Sequence, residues 1–437
     1  MRFFSTRSHQ EIDLVGAIMQ GLAADGGLFV PDALPRIRPE DVRGESLAEI
    51  AAEVIAPFFA ESPLATQLQG ICADAFNFPV PLRAVHGAPA GLHVLELFHG
   101  PTAAFKDVGA RFLAATIEAG LPLVAEDDRP LTILVATSGD TGGAVAAAFH
   151  GRRGIRVAVL YPRGQVTPRQ EKQLTCWGGN IRAFEIEGAF DDCQALVKQA
   201  FVDPACTEQL RLSAANSINL GRLLPQMAYH AAASIWHWRE HGRPLGFIVP
   251  TGNLGNGLAC LWAKAMGLPV REVVLAVNAN RTIPDFLATG DWQPRRSVQT
   301  LASAMDVGDP SNMERLRNLV PDFAELRSQI RAWPVDDAAI RARIGRDFER
   351  YGEIWCPHTA TGFDVWEQLS EAERANDWVV CATAHPAKFE SIVEPVIGKA
   401  VAVPDSLAQL LEAASHNEPL ANDFDAFRTA LCDWPAA

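Results

Sequence analysis

Short, almost wholly apolar runs alternating with helix-length stretches constrain this chain more than any other feature. Leu131–Ala136, Ile155–Leu160 and Ile181–Ile186 read as strands buried on both faces. Gly142–His150 and Thr167–Trp177 lie between them with helical patterning. The alternation continues through Phe247–Pro250, Val273–Val277 and Trp378–Ala382, separated by long helical stretches such as Leu220–Glu240 and Asn256–Met266. Strands linked by helices must run mainly parallel, so the class is α/β, with twisted parallel sheets flanked by helices. Ligands in such sheets bind beyond the C-terminal ends of the strands. Before this region the habit differs. From Glu11 to about Gln69 the pattern is mostly helical, and Phe78–Pro89 reads as a connection. A boundary near residue 85 therefore separates an N-terminal domain, 1–85, from a catalytic region, 86–437, expected to be two α/β subdomains with the site between them.

Charge narrows the partners. Lys and Arg number 38 against 52 Asp and Glu, a net charge of −14, which argues against nucleic acid and anionic membranes. A small phosphorylated substrate stays open, because a few local donors hold it. No apolar run approaches the ~18 residues of a spanning helix, and Met1–Ser5 lacks an extended apolar core, so a cytoplasmic location is expected. The eight cysteines form no Cys-x-x-Cys pair and no familiar zinc spacing. They read as reduced, mostly buried small hydrophobes, and no metal is expected.

The stretch most suggestive of chemistry is His99-Gly100-Pro101-Thr102-Ala103-Ala104-Phe105-Lys106-Asp107. A strand-like run, Leu92–Phe98, leads in, and a helix from Asp107 to Ala119 leads away. Gly100 and Pro101 force a sharp connection, which puts Lys106 in the first helical turn. The positive helix end repels a charged amine, and burial adds to that effect, favouring the neutral form that makes a Schiff base. Taken alone, Lys106 reads more readily as an exposed lysine at a helix start.

Four other loops bear on that choice. Pro250-Thr251-Gly252-Asn253-Leu254-Gly255-Asn256-Gly257 follows a strand and opens a helix, so backbone N–H groups converge there as they do in phosphate nests. A structural turn is the alternative. In Thr137-Ser138-Gly139-Asp140-Thr141, the hydroxyls of Thr137, Ser138 and Thr141 suit a carboxylate, although helix capping by Ser138 or Asp140 uses the same groups. Asn216, Ser217 and Arg222 offer amide, hydroxyl and guanidinium for a second phosphate, with capping plus a surface arginine as the other reading. Thr383 ends the strand Trp378–Ala382.

These motifs carry a resemblance. Leu95–Asp107 resembles the cofactor-lysine segment of the threonine synthase family, which has the fold-type-II pyridoxal phosphate (PLP) architecture. Gln20–Pro31, Asn216–Arg222, Ser303–Gly308 and Thr383–Phe389 are similar to other segments of that family, in the same order. The resemblance implies PLP as cofactor, with Lys106 holding it. Gly252, Asn253, Leu254, Gly255 and Asn256 are then expected at its phosphate, Asp140 near its ring oxygen and Thr383 at its pyridine nitrogen. Thr137, Ser138 and Thr141 are expected to bind the substrate carboxylate, and Asn216, Ser217 and Arg222 its phosphate. The implied reaction turns O-phospho-L-homoserine and water into L-threonine and phosphate, in a monomer or homodimer. The alternative within the superfamily is a threonine or serine dehydratase, whose substrate carries no phosphate.

Overall fold

The computed structural model describes residues 1–124 and 129–434. Near the N-terminus, β1 (Phe3–Ser5), β2 (Glu11–Ile12) and β3 (Phe29–Pro31) form a small antiparallel sheet in the order β2-β1-β3. The remaining described strands, in chain order, are β4 (Leu82–Ala84), β5 (Leu92–Glu96), β6 (Leu131–Ala136), β7 (Ile155–Pro162), β8 (Ile181–Ile186), β9 (Arg211–Ala214), β10 (Leu245–Pro250), β11 (Val270–Val277), β12 (Ile330–Pro334), β13 (Trp378–Ala382) and β14 (Glu418–Leu420). They make two larger sheets. One has the order β12-β11-β10-β13-β5-β4, parallel except for β4, which runs antiparallel to β5. The other, β14-β8-β7-β6-β9, is parallel throughout.

Local chemistry sets the helices between them. Ser46 caps Leu47–Phe59, its hydroxyl taking the Glu49 N–H while the Glu49 carboxylate takes the Ser46 N–H. Asn219 caps Leu220–His241 by accepting from the Gly221 N–H at 2.8 Å, and Gly242, at φ 67°, ends that helix in the left-handed region. Leu47–Phe59, Lys106–Gly120 and Gly255–Ala265 all pack against this long helix. Phe58 stacks on Trp262 and Phe59 meets Phe112 edge-on, so one apolar core joins the N-terminal helices to both large sheets. Burial of that surface fixes the two sheets relative to each other.

Several elements depart from the sequence expectation. The mostly helical N-terminal stretch includes a three-stranded sheet, because Phe3 and Phe29 bury one face of strands too short to register as a period-two pattern. Phe78–Pro89, expected to be only a connection, contributes β4, which pairs with β5 in the sheet carrying the Lys106 loop. Among the described residues no helix is long and apolar enough to cross a membrane. All eight cysteines are free, and six are buried.

Candidate active site

A cavity of about 1420 Å³ opens beyond the C-terminal ends of β5, β6, β10 and β13. Lys106 lines it from the first turn of the helix Lys106–Gly120. The preceding loop is closed by its own last residue. Buried Asp107 accepts from the Thr102 N–H at 2.9 Å and from the Thr102 hydroxyl at 2.6 Å. Gly100 is required by that clasp, since a Cβ there would lie 2.5 Å from an Asp107 carboxylate oxygen. The loop is also stitched to the segment after β13. Leu97 N–H donates to the Ala382 carbonyl, Phe105 N–H to that of Thr383 and His385 N–H to that of Ala103. The position of Lys106 relative to Thr383, also on the cavity wall, is therefore set by backbone bonds.

The electrostatics of Lys106 follow from its surroundings. Its pKa drops from 10.5 to about 8, first through burial and then through the positive charge of Arg222, against a smaller upward pull from Asp140. Lys388 is the buried counterweight. It is fully enclosed, with Nζ 2.8 Å from an Asp140 carboxylate oxygen and 2.9 Å from the Thr102 carbonyl. Gln170 Nε2 adds a bond to the same Asp140 oxygen at 3.0 Å. Burial alone would raise the Asp140 pKa, but the Lys388 ammonium outweighs it and holds the group below its ordinary value. One carboxylate oxygen of Asp140 is thus committed to Lys388 and Gln170.

The helix Gly255–Ala265 begins on the opposite wall, preceded by Leu254 in the left-handed region at φ 64°. Its first N–H groups have no intrahelical acceptor and face outward from the helix start. Gly252 lies against the Ser303–Gly308 segment, where a Cβ would come within 2.7 Å of the Met305 Cα. Asn253 bridges two loops that the sequence reading treats as separate. Its Nδ2 donates to Ser217 Oγ at 2.5 Å, and its Oδ1 accepts from the Ser311 N–H at 2.6 Å. Asn256 Oδ1 accepts from Tyr229 and from His230 Nε2, which leaves its buried Nδ2 without a protein partner. Buried Arg315 reinforces the junction by donating to the Ser217 and Ile218 carbonyls and to Asn312 Oδ1.

Thr137, Ser138, Asp140 and Thr141 all line the cavity after β6. Thr137 Oγ1 accepts from the Gly139 and Gly142 N–H groups, so it shapes its own loop and keeps a hydroxyl proton to donate. Asn216 and Ser217 line the cavity as well. Arg222 does not, which corrects the expected direct contact between its guanidinium and a phosphate. It is 1% exposed, with Nη1 donating to the Ala215 carbonyl at 2.5 Å. It lies on the inner side of its helix against Gly109, where a Cβ would fall 2.8 Å from Nε. Helical rotation between Asn219 and Arg222 turns this residue inward. On the outer wall, positive charge comes from Arg7, Lys198, Arg295 and Arg317.

Two residues, one in the cavity wall and one enclosed behind it, escape sequence reasoning. His358 lines the cavity from the helix Pro357–Gln368. The Ala304 N–H donates to its Nε2 at 3.0 Å, so the neutral ring carries its proton on Nδ1, and that buried nitrogen has no protein partner. Burial lowers its pKa to about 4, which keeps the ring neutral at pH 7. The other is Lys388 itself, whose tie to Asp140 spans the chain. Only its place in the Thr383–Phe389 segment singled it out.

The donor set suits PLP: an amine with lowered proton affinity, a helix start for its phosphate, and the Thr383 side chain on the same cavity wall. Orphaned polar atoms of Asn216, Gln226, Asn256 and His358 all belong to wall residues.

Known proteins resemble this chain along nearly its whole length. Residues 78–384 match the model of the family described as pyridoxal-phosphate dependent enzymes. Residues 2–76 match that of the threonine synthase N terminus, and 359–431 that of the threonine synthase C-terminal region. The chain is 38% identical to a threonine synthase of Serratia marcescens, over 100% of both chains. The crystal structure of threonine synthase from Escherichia coli superposes with a TM-score of 0.91 at 36% identity, covering 100% of both chains. The PLP-bound threonine synthase from Brucella melitensis does so with a TM-score of 0.90 at 34% identity, covering 99% of both.

Proposed function

Because the chain belongs to the threonine synthase family of pyridoxal-phosphate-dependent enzymes, we propose that it converts O-phospho-L-homoserine and water to L-threonine and phosphate. One observation carries the substrate assignment. Asn253, on the loop suited to the cofactor phosphate, is bonded directly to Ser217, on the loop suited to a second phosphate. Two adjoining anion cradles on one cavity fit a phosphorylated cofactor beside a phosphorylated substrate. A dehydratase, whose substrate carries no phosphate, needs only the first.

PLP, when bound, supplies the electron sink that stabilises negative charge on the amino-acid carbons. The protein's part is binding, orientation and proton transfer. Lys106 holds the cofactor and, once released by the substrate amine, moves protons as a free base. Its lowered proton affinity suits that role near neutral pH. Gly252, Asn253, Leu254, Gly255 and Asn256 hold the cofactor phosphate, and Thr383 offers its hydroxyl to the ring nitrogen without protonating it. Asp140, fixed by Lys388, keeps negative charge beside the site. Thr137, Ser138 and Thr141 orient the substrate carboxylate. Asn216 and Ser217 hold the substrate phosphate, which is also the leaving group, while Arg222 adds positive charge from behind their loop.

Release of phosphate and threonine in equal amounts from O-phospho-L-homoserine tests this reading, with 2-oxobutyrate formation from threonine measured on the same preparation. The first rate should exceed the second by orders of magnitude, because a site built on polar partners rejects an analogue lacking them by up to ~10⁴–10⁵. Faster 2-oxobutyrate formation makes the protein a dehydratase.

A further inference from the structure

At the other end of the strands, away from the cavity, three imidazoles converge. His93 is the second residue of β5, while His237 and His241 lie one turn apart at the end of the helix Leu220–His241. One nitrogen from each ring falls within 4.8 Å of the others. We propose that His93, His237 and His241 form a binding site for a divalent transition metal such as zinc, one of the ions that imidazole donors suit.

Two of the rings have the hydrogen bonding that a ligand needs, and the third is free to turn. His237 is 1% exposed, and its Nε2 lies 3.2 Å from a carboxylate oxygen of Asp377. A carboxylate only accepts, so the proton belongs on Nε2 and the Nδ1 lone pair is free. That buried Nδ1 has no protein partner. The carboxylate–histidine pairing is the one that orients ligands and raises their basicity in metal sites. His93 Nδ1 lies 3.2 Å from the Gly91 carbonyl, which puts its proton on Nδ1 and frees Nε2. His241 is exposed, and the nearest carboxylate oxygen, from Glu240, is 3.9 Å away, so its ring can turn.

Field and geometry favour a cation here. The last carbonyls of the Leu220–His241 helix give its C-terminal end negative character. Arg243 brings a positive charge nearby, but it is bonded to Asp377 at 2.8 Å and is thereby compensated. Tetrahedral coordination at ~2.0–2.1 Å requires nitrogens roughly 3.3 Å apart, so no pair of rings need close inward by more than about 1.5 Å. Rotation of exposed His241 supplies most of that. Sequence spacing offers only the i, i+4 pair His237 and His241, because the third ligand comes from a strand far earlier in the chain. A bound metal would clamp β5, which leads to the Lys106 loop, to the helix whose other end begins beside Asn216 and Ser217.

The test uses untagged, chelator-stripped holoprotein titrated with Zn²⁺ by calorimetry, alongside thermal melts with and without the metal. One Zn²⁺ per chain should bind and raise the melting temperature. His241→Ala, at an exposed helix end, should weaken that binding at least tenfold and abolish the thermal shift. Asp377→Asn should weaken it ~10–100-fold by releasing His237, while Glu240→Gln should leave it unchanged. Absence of saturable binding near one equivalent, or unchanged affinity in His241→Ala, overturns the proposal.

Discussion

Replacing Lys388 with methionine removes a buried charge while keeping most of the side-chain volume. Its ammonium lies 2.8 Å from Asp140 with no exposure to solvent. At that separation an effective dielectric near 20 gives roughly 6 kcal/mol of gross attraction, much of it offset by desolvation. Removing one partner of a buried pair leaves the other uncompensated and costs about 3–5 kcal/mol. That is a large share of the ~5–15 kcal/mol by which folded chains are stable. Urea unfolding of the cofactor-free protein at pH 7.5 should therefore show Lys388→Met less stable by that amount. The pH dependence identifies the cause. In the parent chain Asp140 has a pKa below 3.8, so its contribution is present above that value and is lost as pH falls through the lowered one. In Lys388→Met burial prevails and raises the Asp140 pKa above 3.8. The folded state then takes up a proton that the unfolded state lacks, so the deficit shrinks as pH falls from 7.5 towards 4.5. Lys388→Met combined with Asp140→Asn should recover most of the loss, because no buried charge remains unpaired. A loss under 1 kcal/mol, a deficit independent of pH, or simple additivity in the double variant refutes the argument.

Two further perturbations address the cavity. A Cβ at Gly255 meets only ordinary contacts, 3.5 Å to Ser217 Cβ and 3.6 Å to Asn312 Nδ2, so Gly255→Asp should fold. Its carboxylate would face the cofactor phosphate at a cost of roughly 4 kcal/mol per charge pair, about 10³-fold in PLP affinity by equilibrium dialysis. Arg222→Met removes a positive charge that lowers the Lys106 pKa, so the pH midpoint for PLP capture by stripped protein should rise above about 8. Asp140→Asn removes the opposing influence and should lower that midpoint, and stopped-flow absorbance distinguishes the two directions.

How much of this was legible beforehand depends on the range of each interaction. The Lys106 loop is local. Gly100, Pro101 and the Thr102–Asp107 clasp lie within eight residues, so the strand, turn and helix start could all be read. β6 and β13 were equally plain, since strands buried on both faces are nearly continuous apolar runs. β9 and β12 carry arginines at half-buried positions and have no such signature. Arg222 was read as reaching the ligand because spacing gives proximity along a helix but not which side faces inward. Lys388 and His358 acquire their surroundings from Asp140 and Ala304, far away in sequence. Nothing local marks a lysine that will be wholly enclosed, or a histidine whose neutral tautomer is fixed by one backbone N–H.

Two lysines stand near Asp140, and they separate the account from its nearest competitor. Borohydride reduction of the PLP-loaded protein, followed by peptide mapping, fixes the cofactor to whichever amine carries it. The account predicts a single modified site at Lys106, whose burial and Arg222 neighbour favour the neutral amine, and no labelling in Lys106→Ala. Modification of Lys388, the lysine committed to Asp140 and the Thr102 carbonyl, would contradict it.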